Sequence, residues 1–179
     1  ATSLPLHTPL PPGPLTVWQL IPALKTGGVE QSAVEMAVWL KAQGHRPVIA
    51  ARPDPQGHAK ALQLAQHGVE WWPLNLSSKN PITQLTNLAR LIHKARITPP
   101  HLIHARSRVP AWVGWLASRA LGVPFVTTFH GTYGLKGGWL KRFYNSVMIR
   151  SPVIIANSQF IAQHVHQVYG MPRSRVVVA

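Results

Sequence analysis

Seven short apolar runs punctuate the chain, at Leu15–Ile21, Pro47–Ala51, Val69–Leu74, Leu102–His104, Pro124–Phe129, Val153–Ala156 and Val176–Val178. They are rich in β-branched and aromatic residues, and they do not alternate with polar positions. Strands buried on both faces read this way. Between them the period changes. Val29–Gln43 sets Val29, Ala33, Met36, Ala37 and Leu40 on one stripe and ends at Gly44, a C-cap signal. Ala59–His67 ends at Gly68, and Pro110–Leu121 ends at Gly122. Ile82–Arg96 carries Ile82, Leu85, Leu88, Ala89 and Ile92 at helical spacing. Two further helices are expected over Gly138–Ile149 and Gln159–Val168.

Strand and helix alternate throughout, which predicts an α/β fold: a doubly wound, parallel, Rossmann-like sheet with helices on both faces. Right-handed crossovers leave little other topology for this order. Ahead of it, residues 1–14 hold Pro5, Pro9, Pro11, Pro12 and Pro14. Proline removes donors and fixes φ, so an extended, poorly ordered leader is expected there, with one domain over residues 15–179. The last apolar run stops abruptly, and we expect the domain to be one half of something larger.

Composition changes the picture only through charge. With 179 residues and 46% hydrophobic content the chain suits one well-cored domain. It has no cysteine, which removes disulfides and thiolate metal sites. No apolar run reaches the roughly 18–20 residues that span a bilayer, and no segment has a signal-peptide layout. These features read as a cytoplasmic protein. Eighteen Lys and Arg against four acids, however, give a net charge of +14. Such an excess implies a polyanionic neighbour, whether nucleic acid, an anionic membrane surface or phosphorylated substrates, unless arginine-rich usage alone explains it. The basic residues are spread along the chain without a long arm, and no nucleic-acid motif appears, so nucleic acid is not expected as a partner.

Candidate chemistry gathers where ligands bind such sheets, at the carboxyl ends of the strands. In "LKTGGVEQSAVEMA", Gly27 and Gly28 join the first strand to the first helix, with Glu30 in its first turn. The pair either lets an anion approach free helix N–H groups or makes a tight turn with a charge-matched helix start. It matches neither the dinucleotide nor the P-loop motif. Arg106 and Arg108 in "HARSRVPAW" follow a strand, as phosphate-binding forks or as solvated arginines before a helix starting near Pro110. His130 and Gly131 in "TTFHGTYG" stand at the next strand end, and Asn157 and Ser158 in "ANSQF" either cap the following helix or touch ligand. In "LKGGWLKRFYNSVMIR", Leu140, Phe143, Tyr144, Val147 and Met148 form a stripe flanked by Trp139, Lys141 and Arg142. A helix lying on an anionic membrane has this composition, and so does a core helix with a basic outer face. No cluster of His, Asp and Glu suggests a metal.

Taken in order, "TGGVEQSAVEMA", "HARSRVPAW", "TTFHGTYG" and "VIIANSQFIAQHV" resemble the N-terminal half of GT-B glycosyltransferases of family 4. The resemblance implies an acceptor-side domain whose donor is a nucleotide-diphosphate sugar, with no other cofactor and no metal. It implies that Gly27, Gly28 and Glu30 touch donor phosphate or acceptor, and that His130, with Gly131 beside it, contacts the transferred sugar. Asn157 and Ser158 would lie near an interdomain cleft, and Arg106 and Arg108 on the acceptor side. The family's C-terminal donor-binding domain, with its paired-glutamate motif, is absent: the four acids here are Glu30, Glu35, Asp54 and Glu70, and none forms such a pair. The implied activity is retaining sugar transfer to a glycolipid or lipopolysaccharide-type acceptor, on the inner face of the cytoplasmic membrane, with the isolated chain inactive. The rival reading is a non-catalytic module that binds an anionic ligand or membrane surface, since fold alone does not establish chemistry.

Overall fold

The computed structural model describes residues 12–179, so nearly all of the proline-rich leader lies outside the described residues. Seven strands form one sheet: β1 (Thr16–Ala23), β2 (Arg46–Arg52), β3 (Glu70–Trp72), β4 (Leu102–Ala105), β5 (Phe125–Phe129), β6 (Val153–Ala156) and β7 (Val176–Val178). Their order is β3-β2-β1-β4-β5-β6-β7, and every pairing is parallel. The connecting helices are α1 (Gly28–Ala42), α2 (His58–Gln66), α3 (Pro81–Ile97), α4 (Arg108–Leu121), α5 (Trp139–Asn145) and α6 (Gln159–Tyr169). The expected α/β fold is present.

Strand alternation divides the core into two layers. Trp18 and Leu20 of β1 belong to the layer with Leu91 and Ala95 of α3, Ala111 and Val113 of α4, and Ile161 and Val165 of α6. Ile21 belongs instead to the layer with Ala33, Val34 and Ala37 of α1 and Leu64 of α2. Helices α1 and α2 therefore cover one face over β1–β3, and α3, α4 and α6 cover the other. Gly57, in a 3-10 turn before α2, fixes the loop after β1. A Cβ there would stand 1.6 Å from the Leu24 carbonyl oxygen, so only glycine allows this approach.

Three helical expectations need correction. In α1, Met36 is exposed and Val34 takes the buried place, because the helix turns Ala33, Val34 and Ala37 towards the sheet. In α3, Ile82 and Leu85 are exposed at 74% and 61%, while Asn87, Leu91 and Ala95 are buried. The Asn87 amide donates to the Asn75 carbonyl at 2.8 Å and to Gln84 Oε1 at 3.1 Å. Those bonds satisfy a polar side chain on the packed face, which apolar periodicity cannot anticipate. Lastly, α5 stops at Asn145 and a 3-10 turn, Ser146–Ile149, follows. The proposed single stripe splits there: Val147 and Met148 enter the core, while Trp139, Leu140 and Phe143 stay on the surface.

Candidate functional site

The strand order reverses between β1 and β4, and Arg106 stands where they part. Its backbone N–H donates to the Leu20 carbonyl at 3.1 Å, which extends the β1–β4 ladder by one rung. The residue is 3% exposed. Its guanidinium Nε donates to Gln19 Oε1 at 3.2 Å, and Nη1 donates to Ser32 Oγ on α1 at 2.9 Å and to His130 Nε2 at 3.4 Å. All three partners are neutral. Burial lowers the Arg106 pKa to about 10, which leaves it charged at neutral pH. A buried cation without a counterion is costly, and an anion in the crevice would relieve that cost.

The imidazoles nearby stay uncharged. Burial first, and the Arg106 charge second, push the His130 pKa down to about 4. His104, one pleat deeper on β4, lies well below its ordinary value through burial and then the charges of Arg106 and His130. Its Nε2 pairs with Thr128 Oγ1 at 2.6 Å. Gln19, opposite His104 in register, keeps Nε2 buried and without a partner. Gln19, His104, Arg106, Thr128 and His130 thus form a polar row through an apolar sheet, ending at its carboxyl edge.

The other expected site residues divide into groups. Ser32, one turn into α1, accepts from Arg106 through its hydroxyl, and Gly27, Gly28 and Glu30 stand at the start of that same helix. The glycines do not serve an unusual φ: Gly27 has φ −88°, and neither it nor Gly28 is among the positive-φ residues. What they provide is space. A Cβ on Gly28 or on Gly131 would meet nothing within 4 Å, whereas one on Gly27 would meet the Glu30 carboxylate at 2.5 Å. That carboxylate folds back over the start of α1, where an incoming phosphate would have to displace it. Ser158 caps α6 by accepting from the Ile161 N–H at 3.2 Å, and Asn157 is exposed, its N–H donating to the Phe129 carbonyl at 3.3 Å. Capping is what the structure assigns to Ser158.

Arg108 joins a second cluster. It is the first residue of α4, so Pro110 is the third helical position and not the start. Its guanidinium lies 4.6 Å from the Tyr133 ring centroid and 5.0 Å from that of Tyr144, and Nη1 donates to Asn145 Oδ1 at 3.0 Å. Lys79 stands 5.6 Å from the same Tyr144 ring. Beside them opens a cavity of about 540 Å³ with Trp112, Leu140 and Lys141 in its wall. Cations and aromatic surface meet there without any carboxylate. Trp139, Lys141 and Arg142 are all exposed on α5, Trp139 at 73%. Among the described residues no group of His, Cys, Asp and Glu could hold a metal ion, and no helix is long and apolar enough to cross a membrane.

The sequence model of Glycosyltransferase Family 4 matches residues 26–179. The chain belongs to glycosyltransferase family 4. Among solved structures, it is similar to a glycosyltransferase from Rickettsia africae ESF-5, with 33% identity and a TM-score of 0.77 over 92% of this chain and 42% of that one. It is also similar to HepE from Anabaena in complex with UDP and glucose, at 21% identity, TM-score 0.72, and 92% and 43% coverage. The lipopolysaccharide outer core galactosyltransferase WaaB shares its fold at 11% identity, TM-score 0.65, and 91% and 44% coverage. The chain therefore spans less than half the length of these structures. No curated protein matches it.

Several residues of the two clusters escape a reading of the sequence. Gln19, Ser32, His104, Thr128, Tyr133, Tyr144 and Lys79 all shape the two clusters; Gln19 and Lys79 lie outside the quoted motifs, and the other five lie within them without being singled out as site residues. One signal was available. Gln19 and His104 are polar residues inside otherwise apolar strands, and a buried polar side chain needs a partner. Charge distribution gives another: residues 71–179 hold thirteen Lys and Arg and no acid at all.

Proposed function

We propose that this family 4 chain is the N-terminal, acceptor-side half of a retaining glycosyltransferase. It would move a sugar from a nucleoside-diphosphate donor to a glycolipid or lipopolysaccharide-type acceptor. The observation that carries the reading is the buried Arg106 guanidinium, unpaired with any carboxylate, against a neutral His130 at the switch point of the sheet. Negative charge develops on the departing diphosphate, and a preorganised cation in a water-poor crevice stabilises it most. Two of the four acids are engaged with arginines, Glu70 with Arg46 at 2.7 Å and Asp54 with Arg52 at 3.6 Å, and no carboxylate pair of the kind a hydrolase uses is evident among the described residues. HepE with UDP and glucose supports a nucleotide-sugar donor, and WaaB supports an acceptor of the lipopolysaccharide type. The cavity between Lys79, Arg108 and Lys141 suits an amphiphile that carries an anionic group.

In this reading a second domain supplies most of the donor site, together with its own cations, and the chain alone does not turn over. Neither a metal nor an organic cofactor is required, because Arg106 and the partner domain meet the charge of the leaving group. Trp139, Leu140 and Phe143, with Lys141 and Arg142 between them, suit contact with an anionic lipid surface, which supports a peripheral location on the inner face of the cytoplasmic membrane. The test uses the full-length protein, assayed with nucleotide sugars and lipid-linked or lipopolysaccharide acceptors. Transfer should occur, and His130→Ala should lower turnover about 100-fold or more with little change in melting temperature. Loss of turnover only in step with loss of folded protein would make His130 a packing residue and sink the reading.

A further inference from the structure

The contact between Arg106 and His130 has a direction. A guanidinium carries donors only and stays charged here, so His130 Nε2 must be the acceptor of the 3.4 Å contact. In a neutral imidazole the proton must then sit on Nδ1. Electrostatics gives the same answer without relying on the bond: a proton on Nε2 would point at a buried positive charge. Arg106 itself has little freedom to move away. It is held by Gln19 from β1, by Ser32 from α1 and by its backbone rung to Leu20.

We propose that Arg106 is a positioning residue that holds His130 as the neutral imidazole protonated on Nδ1, so that His130 meets substrate as an N–H donor and not as a base. Nδ1 has no hydrogen-bond partner among the described residues, and it is not among the buried unpartnered atoms, so it is open to the crevice. The groups around the ring agree. His104 behind it on β4 is neutral and engaged with Thr128 of β5; Ser32 on α1 is uncharged; Glu30 folds back over Gly27. No carboxylate faces the ring to stabilise an imidazolium. A neutral imidazole that donates through one nitrogen can polarise or orient an oxygen without removing its proton. For sugar transfer, that oxygen is a hydroxyl or the developing oxyanion of the donor; this last step rests on the transferase reading, whereas the tautomer does not.

The experiment is nitrogen-15 NMR of the full-length protein labelled at histidine, in which two-bond couplings report which ring nitrogen carries the proton. The expected result is an Nδ1–H His130 that titrates near pH 4. In Arg106→Met the tautomer should move towards Nε2–H and the midpoint should rise by about one pH unit, since the charge is gone while burial, the larger cause, remains. Arg106→Lys, which keeps a cation, should hold the midpoint low. In the pH–rate profile, Arg106→Met should move the acid limb from near pH 4 to about pH 5. An Nε2–H tautomer in the parent overturns the proposal, and that measurement needs no variant to fold. A midpoint indifferent to Arg106→Met overturns it equally. Full turnover in His130→Ala overturns the donor role as well, whereas an Nδ1–H ring in a full-length protein that transfers no sugar would overturn the transferase reading alone.

Discussion

The first 70 residues and the remaining 109 handle positive charge in different ways. The first part holds five Lys and Arg and all four acids, and both ion pairs among the described residues lie in it, Arg46–Glu70 and Arg52–Asp54. The second part holds thirteen cations and no acid. There, cations rest on aromatic rings and neutral oxygens. Arg150 lies 4.6 to 5.7 Å from the rings of Trp112, Trp115 and Phe143, Arg119 lies over Trp115, and Lys94 over Trp72. Arg175 donates to the carbonyls of Ile149 and Ser151. A π face or a carbonyl holds a cation in place without neutralising it. The carboxylate-paired part is therefore close to charge balance, and the acid-free part keeps a positive field that nothing within it neutralises.

Charge reversal on α5 should break this difference most strongly. Replacing Lys141 and Arg142 with glutamate changes the surface by four charge units, each worth about 1 kcal/mol near an anionic bilayer, so cosedimentation with phosphatidylglycerol vesicles should weaken about 100-fold or more. Unchanged binding would mean that the exposed Trp139 face meets something other than lipid. Next in size is Arg150→Ala. It removes a cation from three rings together with its packing stem, and should cost about 2 kcal/mol in urea unfolding, largely unaffected by 1 M salt. A cost that vanishes in salt would make Arg150 an ordinary surface charge.

The two halves should also separate on acidification. His130, near 4 when folded and near 6.5 when unfolded, binds its proton more readily in the unfolded chain, and His104 shifts the same way. Stability should therefore fall as pH drops from about 6.5 towards 4. Glu70 is lowered by its bond to Arg46, so its contribution is present above its ordinary value of 4.5 and is lost only below it. Melting temperature against pH should show both limbs, and His130→Asn should shrink the upper one to the share of His104 while leaving the lower one as it is. Glu70→Gln, the smallest effect, should remove part of the lower limb and cost at most about 1 kcal/mol at neutral pH, because the pair is exposed and screened. An upper limb unaltered by His130→Asn would show that folding leaves the proton affinity of His130 unchanged.

The apolar runs already contain most of the architecture, with errors where side-chain partners matter. Strand positions, the glycine stops at Gly44, Gly68 and Gly122, and the parallel order all follow from local pattern and chain handedness. The α3 stripe failed because Asn87 is buried through bonds to residues of its own loop and helix. The α5 stripe failed because Val147 and Met148 leave the helix for the core. Arg106, Arg108 and His130 were legible as strand-end residues, but the two arginines differ only in three dimensions. One is sealed among neutral donors and acceptors at the switch point; the other is stacked between tyrosines.

Alone, the sequence determined a doubly wound α/β domain with a strong positive charge, because strand and helix periodicities and composition are local quantities; the likeness to family 4 came separately, from the order of four motifs. Only the tertiary structure decided which cation is buried without a counterion. Arg106 meets Gln19 across 87 residues, Ser32 across 74 and His130 across 24. Burial and electrostatics depend on distance in space, and no spacing along the chain encodes three such separations at once.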